Sequence, residues 1–219
     1  VSATSETSEV NPQPEPPPCF LDPDHVAKLT EKAKTKKKTG SDDSIPDEQE
    51  DPSDPQESDS RNSETKPKRL LRTIISSMKN SKEFGKQMHR EATRRRFGEA
   101  TRKAYVADGL TCNWSIHNEH FADYVPILDF IHAVSYLFTA SIACLGKTDQ
   151  AWTAYVDWMR AAWQGNLARV IEELRVHQSH VGYPPDDADE DDPREQLRRI
   201  VGYLENNCSR MKYDQYRKA

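Results

Sequence analysis

YVADGLTCNWSIHNEHFADYVPILDFIH, residues 105–132, holds two short apolar runs that each end in an aspartate. AYVAD ends at Asp108 and VPILD ends at Asp129, with a helical pattern between the two runs. This alternation favours a sheet covered by helices, an α/β fold. Both runs are apolar enough to predict strands that pair side by side at the centre of the sheet. The two aspartates then lie at strand ends, where the ligand sites of open α/β sheets collect.

The flanking sequence predicts further elements of the same fold. RLLRTIISSM (69–78) is rich in β-branched and aliphatic residues and predicts a strand. The next segment predicts an amphipathic helix that begins after Asn80 or Ser81 and carries basic residues on its outer face. From residue 130 onward the pattern is mainly helical. An aromatic stripe in that part predicts a helical core that includes Trp152, Tyr155, Trp158, Trp163 and Leu167.

The 219-residue chain changes composition sharply along its length. Residues 1–65 carry sixteen Asp/Glu against seven Lys/Arg and are rich in proline, which predicts a mostly disordered segment. CFLDPDHVAKLTEKAK is the exception, because Asp24 is a candidate cap for a short helix with Val26 and Leu29 on one side. Residues 66–108 reverse the sign, with thirteen Lys/Arg against four Asp/Glu. Such a basic segment fits either nucleic-acid binding or a solvated helix face.

Other features of the sequence narrow the class of protein. Four scattered cysteines without a CxxC pair predict free thiols in a reducing compartment. Cys112, His117 and His120 lack the fourth ligand that a structural zinc site needs. The longest apolar stretch has 16 residues and contains a histidine, so it predicts no membrane span. The chain begins with Val1 and stops at YDQYRKA, and we expect it to be part of a longer protein.

The aspartates at the two strand ends each admit two interpretations. The Asp108 carboxylate is either an oxygen ligand for Mg²⁺, with Gly109 turning the chain away, or part of the turn that Asp-Gly favours. Asp129 can cap the helix that follows it. It can also form a charge-assisted hydrogen bond with His132, which lies on the same face of the first helical turn.

These motifs together resemble a known family. The stretch 69–138, from RLLRTIISSM to HAVSYLF, is similar to the central catalytic part of bacterial DDE transposases, in the group that is common in planctomycetes and related to Mutator-like elements. It has an arginine-led strand with RT, then FG, a basic helix, a strand ending in DG, a tryptophan-bearing helix and ILDFIH. The resemblance continues through AWTAYVDWMRAAWQGNLARVIEELR and covers about residues 66–219.

The resemblance implies a ribonuclease H-like fold in which three carboxylates hold two divalent ions, Mg²⁺ or Mn²⁺, for DNA strand cleavage and transfer. It makes Asp108 the second catalytic, metal-binding carboxylate, and Asp129 and His132 its supporting residues. The expected partners are the double-stranded DNA of transposon ends and further copies of the chain, in the bacterial cytoplasm at the nucleoid. The candidate phosphate-binding residues lie on the basic helix 81–96: Lys82, Lys86, Arg90, Arg94, Arg95 and Arg96.

The sequence departs from the family pattern in two places. We find no strand ending in Asp within 1–65 for the first carboxylate, and no helix with the glutamate expected as the third. The resulting division is an acidic segment at 1–65, a partial ribonuclease H-like core at 66–145 and a long all-helical insertion at 146–219. We therefore expect a transposase fragment that is inactive alone and binds metal only as the full-length enzyme. The alternative is a non-catalytic remnant that binds DNA or an intact transposase.

Overall fold

The structure, a computed structural model, describes residues 2–4, 14–38 and 69–218. It is mixed α/β and mostly helical, as the sequence predicts at this coarse level. The strands are β1 (Ser2–Thr4), β2 (Arg69–Arg72), β3 (Ala104–Ala107) and β4 (Val125–Leu128). The helices are α1 (Pro23–Lys38), α2 (Ser81–Arg94), α3 (Thr111–His120), α4 (Phe130–Leu145), α5 (Asp149–Trp163), α6 (Leu167–Val181), α7 (Pro193–Asn207) and the short α8 (Tyr213–Tyr216).

The two predicted central strands, β3 and β4, are neighbours and run parallel. Their register places Tyr105 beside Pro126 and Ala107 beside Leu128. Within the described residues this sheet has only two strands, so the predicted position at the centre of a larger sheet is not observed. Val106 (59% exposed) and Val125 (47% exposed) lie on the same face of this sheet, which is therefore open to solvent at these positions.

The strand predicted at 69–78 is shorter than its sequence suggested. β2 covers only Arg69–Arg72 and pairs antiparallel with β1 in a separate two-stranded sheet. Residues 73–77 lie outside regular secondary structure, although their burial still alternates residue by residue. The β-propensity of Thr73, Ile74 and Ile75 describes a fit to a half-buried surface, so it does not by itself extend the ladder.

Helix α4 occupies the middle of the helical body, where it packs against α1, α5 and α7. Its inward face includes Leu137 and Ala140, both fully buried. The predicted aromatic core is confirmed, because Tyr155 and Trp158 are buried and Phe138 packs edge-on against Tyr155. We call α4 and the helices packed against it the helical body. It is continuous with β4, because β4 leads directly into α4.

The helix predicted near the N-terminus is confirmed and packs onto this body. Val26 is fully buried on α1, and the Tyr155 hydroxyl donates to the Phe20 carbonyl oxygen at 3.0 Å. The cap is Asp22 rather than Asp24, because the Asp22 carboxylate accepts the backbone N–H groups of Asp24 (2.9 Å) and the next residue (3.2 Å). The rest of the segment predicted to be mostly disordered, residues 1, 5–13 and 39–65, lies outside the described residues.

The basic helix α2 begins where the sequence predicted. The Asn80 side chain accepts the backbone N–H of Glu83 at 3.0 Å and caps the helix. α2 packs on α3, where the rings of His89 and His120 stack with their centroids 5.6 Å apart. α3 in turn covers β3 through Trp114 and Tyr105. In the described part of the chain the four cysteines are free, and no helix has the length and apolar character needed to cross a bilayer.

Candidate active-site cleft

A cleft of about 380 Å³ opens at the carboxyl ends of β3 and β4. Its walls bring together the three residues that the sequence singled out, Asp108, Asp129 and His132. Phe84 and Met88 of α2 form the apolar side of the cleft. Because β3 and β4 are parallel, the residues that follow them meet at one margin of the sheet, as the sequence argument required.

Asp108 is held in a fixed orientation by the turn that follows β3. Its Oδ1 accepts the backbone N–H of Leu110 at 3.1 Å and the side-chain N–H of Asn113 at 2.7 Å. The turn interpretation of Asp108 is therefore correct for one carboxylate oxygen. The other oxygen, Oδ2, accepts no hydrogen bond from the described residues and is free for a ligand. The contact between Asn113 and Asp108 was not predicted. The signal that could have indicated it is a polar side chain in the first turn of α3, five residues after Asp108.

Asp129 ends β4 and begins α4. Its carboxylate accepts the backbone N–H of Ile131 at 3.2 Å, which confirms the predicted cap. Its backbone N–H donates to the Ala107 carbonyl oxygen at 2.8 Å and continues the parallel ladder. The predicted hydrogen bond between the side chains of Asp129 and His132 is not found in the described residues. The carboxylate turns toward the helix N–H instead, and the half-buried His132 ring lines the cleft.

Three tyrosines of α7 and α8 donate hydrogen bonds to backbone carbonyl oxygens in β4 or directly after β3. The Tyr203 hydroxyl donates to the Asp108 carbonyl oxygen at 2.7 Å, and the Tyr213 hydroxyl donates to the Leu128 carbonyl oxygen at 3.0 Å. Tyr216 lies 3.4 Å from the Pro126 carbonyl oxygen. No local sequence pattern indicates these contacts, because 95 residues separate Tyr203 from Asp108.

The basic helix α2 forms one side of a second, shallower groove of about 450 Å³. Of the predicted phosphate-binding residues, Arg90 and Arg94 line this groove, together with Gln87. Ile75 lines both the groove and the cleft, so the two depressions are adjacent. The basic groove therefore lies beside the cleft at the strand ends.

The other predicted phosphate-binding residues do not line this groove. Lys82 is exposed, and Lys86 pairs with Glu83 at 2.8 Å. Arg95 pairs with Glu91 at 2.9 Å. Arg96 has a left-handed backbone (φ 60°), directly after α2, and its guanidinium pairs with Glu99 at 2.6 Å.

Glu91 is the acidic partner inside the basic groove. Hydrogen bonds from Arg94, and then from Arg95, lower the pKa of Glu91 to about 2. Its charge therefore offsets part of the positive charge at neutral pH. Exposed pairs of this kind contribute little to stability, so an incoming phosphate can replace the carboxylate at small cost.

The metal-ligating groups at the cleft form an incomplete set. No cluster of three or more His, Cys, Asp or Glu side chains that could hold a metal ion occurs in the described ranges. The free Oδ2 of Asp108 fits one position of a Mg²⁺ or Mn²⁺ ligand set, since these ions prefer carboxylate oxygens. One carboxylate alone does not bind either ion tightly.

Comparisons with known proteins add no relative. A scan against protein-family models, a search of curated proteins and a search of solved structures each gave no match. The resemblance to DDE transposases and the ribonuclease H-like fold therefore remain predictions from the sequence.

Proposed function

We propose that this chain supplies part of the catalytic centre of a DDE-type transposase with a ribonuclease H-like core. The complete centre would carry out metal-dependent DNA strand cleavage and transfer. The observation that carries the proposal is the position of Asp108. Its carboxylate follows a strand, keeps one oxygen free and lines a cleft with Asp129 and His132.

The local geometry supports a ligand role for Asp108 rather than a turn role alone. A turn aspartate uses its carboxylate on the backbone N–H two residues on, and the Leu110 N–H satisfies that need. The additional hydrogen bond from Asn113 fixes the plane of the carboxylate. A carboxylate held by such neighbours presents its second oxygen in one direction, as metal ligands in proteins do.

Asp129 and His132 support the cleft in different ways. The Asp129 carboxylate is occupied by the N-terminus of α4, so its role is to fix the end of β4 beside Asp108. The His132 ring has no hydrogen-bond partner in the described residues and faces the cleft, where it can donate to or accept from a bound phosphate. This division agrees with the supporting roles that the resemblance implies.

The basic groove supports DNA as the substrate. From Ser81 to Glu99 the chain carries six Lys/Arg against three Glu. Arg90 and Arg94 both line the groove and lie one helical turn apart, a spacing suited to successive phosphates. A duplex in this groove would pass over Ile75 and bring a phosphodiester to Asp108.

The proposal requires two further carboxylates from outside the described residues. When bound, the two divalent ions would activate the attacking water or 3′-hydroxyl and stabilise the leaving oxygen. This chain's own residues bind the DNA backbone, orient Asp108 and close one side of the cleft. We accordingly expect no strand cleavage by the chain alone.

A titration of the ¹⁵N-labelled chain with Mn²⁺ tests the ligand role. Mn²⁺ broadens the NMR signals of nearby amides even when it binds weakly. We expect selective broadening at Gly109, Leu110 and Ile131, and its loss in Asp108→Asn. The acidic loop 186–192 provides an internal reference, because it attracts Mn²⁺ whatever residue stands at 108. Equal broadening at the strand ends in both proteins would exclude Asp108 as a ligand.

The incomplete ligand set also favours a second function, that of a binding remnant without catalysis. Such a remnant would bind DNA through Arg90 and Arg94 with no selective Mn²⁺ site at Asp108. DNA binding combined with unchanged broadening in Asp108→Asn would therefore select the remnant over the catalytic fragment.

A further inference from the structure

We propose that Tyr203 of α7 is a positioning residue that sets the direction of the Asp108 carboxylate. This inference rests on the proposed function, in which Asp108 binds a divalent ion. It assigns a specific task to the helices after residue 146, since none of their described residues lines the cleft.

Tyr203 holds the backbone of Asp108, whereas Leu110 and Asn113 hold its carboxylate. Its hydroxyl donates to the Asp108 carbonyl oxygen at 2.7 Å, a short hydrogen bond across two distant parts of the chain. The carboxylate is held by Leu110 and Asn113, both from the turn and helix that follow. Tyr203 therefore links this turn to α7, 95 residues later in the chain.

The sequence at the turn is matched to the tyrosine. Gly109 has φ +89°, and a Cβ added there would lie 2.5 Å from the Tyr203 hydroxyl oxygen. Glycine thus allows both the left-handed backbone and the close approach of the ring. Any other residue at 109 would push Tyr203 away from the Asp108 carbonyl.

The Tyr203 ring is itself fixed by the helix that leaves the second strand. It stacks on Tyr136 of α4, with the ring centroids 4.0 Å apart and the planes tilted by 29°. Tyr136 lies one helical turn after His132. The ring pair consequently links the turn after β3 to the helix after β4. Burial raises the pKa of Tyr203 well above its usual value, so the hydroxyl remains protonated and a donor at all working pH values.

The chain offers a matched control for the loss of a tyrosine hydroxyl. Tyr155 also donates to a backbone carbonyl oxygen at a similar distance, 3.0 Å from the Phe20 oxygen, but Phe20 lies before α1 and does not line the cleft. Tyr155→Phe and Tyr203→Phe therefore remove the same kind of hydrogen bond at two places. A purely structural role would make the two variants behave alike at Asp108.

The experiment repeats the Mn²⁺ titration on the wild-type chain and on both variants, with thermal denaturation of each to establish that they fold. We expect Tyr203→Phe to bind Mn²⁺ at Asp108 about fivefold more weakly, as measured from the broadening of the Gly109 and Leu110 amide signals. A factor of about five corresponds to the free energy of one ordinary hydrogen bond. Broadening at the acidic loop 186–192 should be unchanged. Tyr155→Phe should match the wild type at both places.

The outcomes separate this inference from the proposed function. If Asp108→Asn abolishes the site but Tyr203→Phe leaves its Mn²⁺ affinity unchanged, Asp108 is a ligand and Tyr203 does not position it. If Tyr155→Phe weakens the site as much as Tyr203→Phe, the effect is general stability and the inference is wrong. If the wild-type chain shows no selective broadening near Asp108, both the ligand role and the positioning role are overturned.

Discussion

Removal of Arg90 and Arg94 together should change how DNA binding depends on salt. Each phosphate contact contributes about 0.9 to the slope of log affinity against log salt for duplex DNA. Both side chains line the groove beside the cleft, so Arg90→Ala/Arg94→Ala should lower the slope by about 1.8. Between about 50 and 200 mM salt, the affinity ratio of wild type to variant should shrink roughly twelvefold.

Fluorescence anisotropy with a labelled duplex at several salt concentrations measures this slope directly. Lys147→Ala/Arg160→Ala removes the same charge from exposed positions outside the groove and should leave the slope near the wild-type value. Arg95→Ala/Arg96→Ala removes two predicted phosphate-binding residues that do not line the groove, and should also leave the slope near the wild-type value. An Arg90→Ala/Arg94→Ala slope equal to that of the wild type would refute phosphate binding in the groove.

Three further predictions concern stability, and urea denaturation measures each. Gly109→Ala should lower the free energy of unfolding by about 1–3 kcal/mol, because residue 109 has a positive φ and lies close to Tyr203. Gly98→Ala should be neutral, because a Cβ at 98 would meet no atom within 4 Å. Equal effects of the two substitutions would contradict this explanation. Asp22→Ala should cost about 1 kcal/mol through loss of the α1 cap, and no change would mean that the cap is unimportant. Hydrogen bonds from Arg198, and then from Arg199, lower the pKa of Glu195 from 4.5 to about 2. Between pH 4.5 and about 2 the unfolded chain therefore binds more protons than the folded chain, so the free energy of unfolding falls as the pH drops through this range. Glu195→Gln should make that loss of stability smaller, although Glu91 still contributes in the same pH range, and an unchanged pH profile would contradict the pairing.

The parts of the fold that follow local rules could be predicted from the sequence. AYVAD and VPILD each combine an apolar run with a terminal aspartate, and both strands occur with their carboxyl ends at one cleft. Asn80 and Asp129 cap helices as their positions before helical patterns suggested. These features depend on a few consecutive residues, so composition and spacing were sufficient to find them.

The parts that depend on distant contacts could not be predicted in this way. No pattern near Asp108 indicates that a tyrosine 95 residues later donates to its carbonyl. The segment 73–77 has strand propensity, but the described ladder ends where Arg72 pairs with Ser2. Strand pairing requires a partner strand, which propensity alone does not indicate. The side chain of Asp129 had two possible hydrogen-bond partners, the His132 ring and a backbone N–H of α4. In the structure it accepts the backbone N–H of Ile131. In each case the choice depends on tertiary geometry that the local sequence does not contain.

The role of Asp108 as a metal ligand can be measured most directly in crystals of the chain grown with a DNA duplex and a large excess of Mn²⁺, which offsets the weak binding by a single carboxylate. We predict an anomalous scattering peak about 2.1 Å from Oδ2 of Asp108, inside the cleft shared with Asp129 and His132. Peaks confined to the acidic loop 186–192, with none at Asp108 when DNA occupies the basic groove, would contradict the proposal.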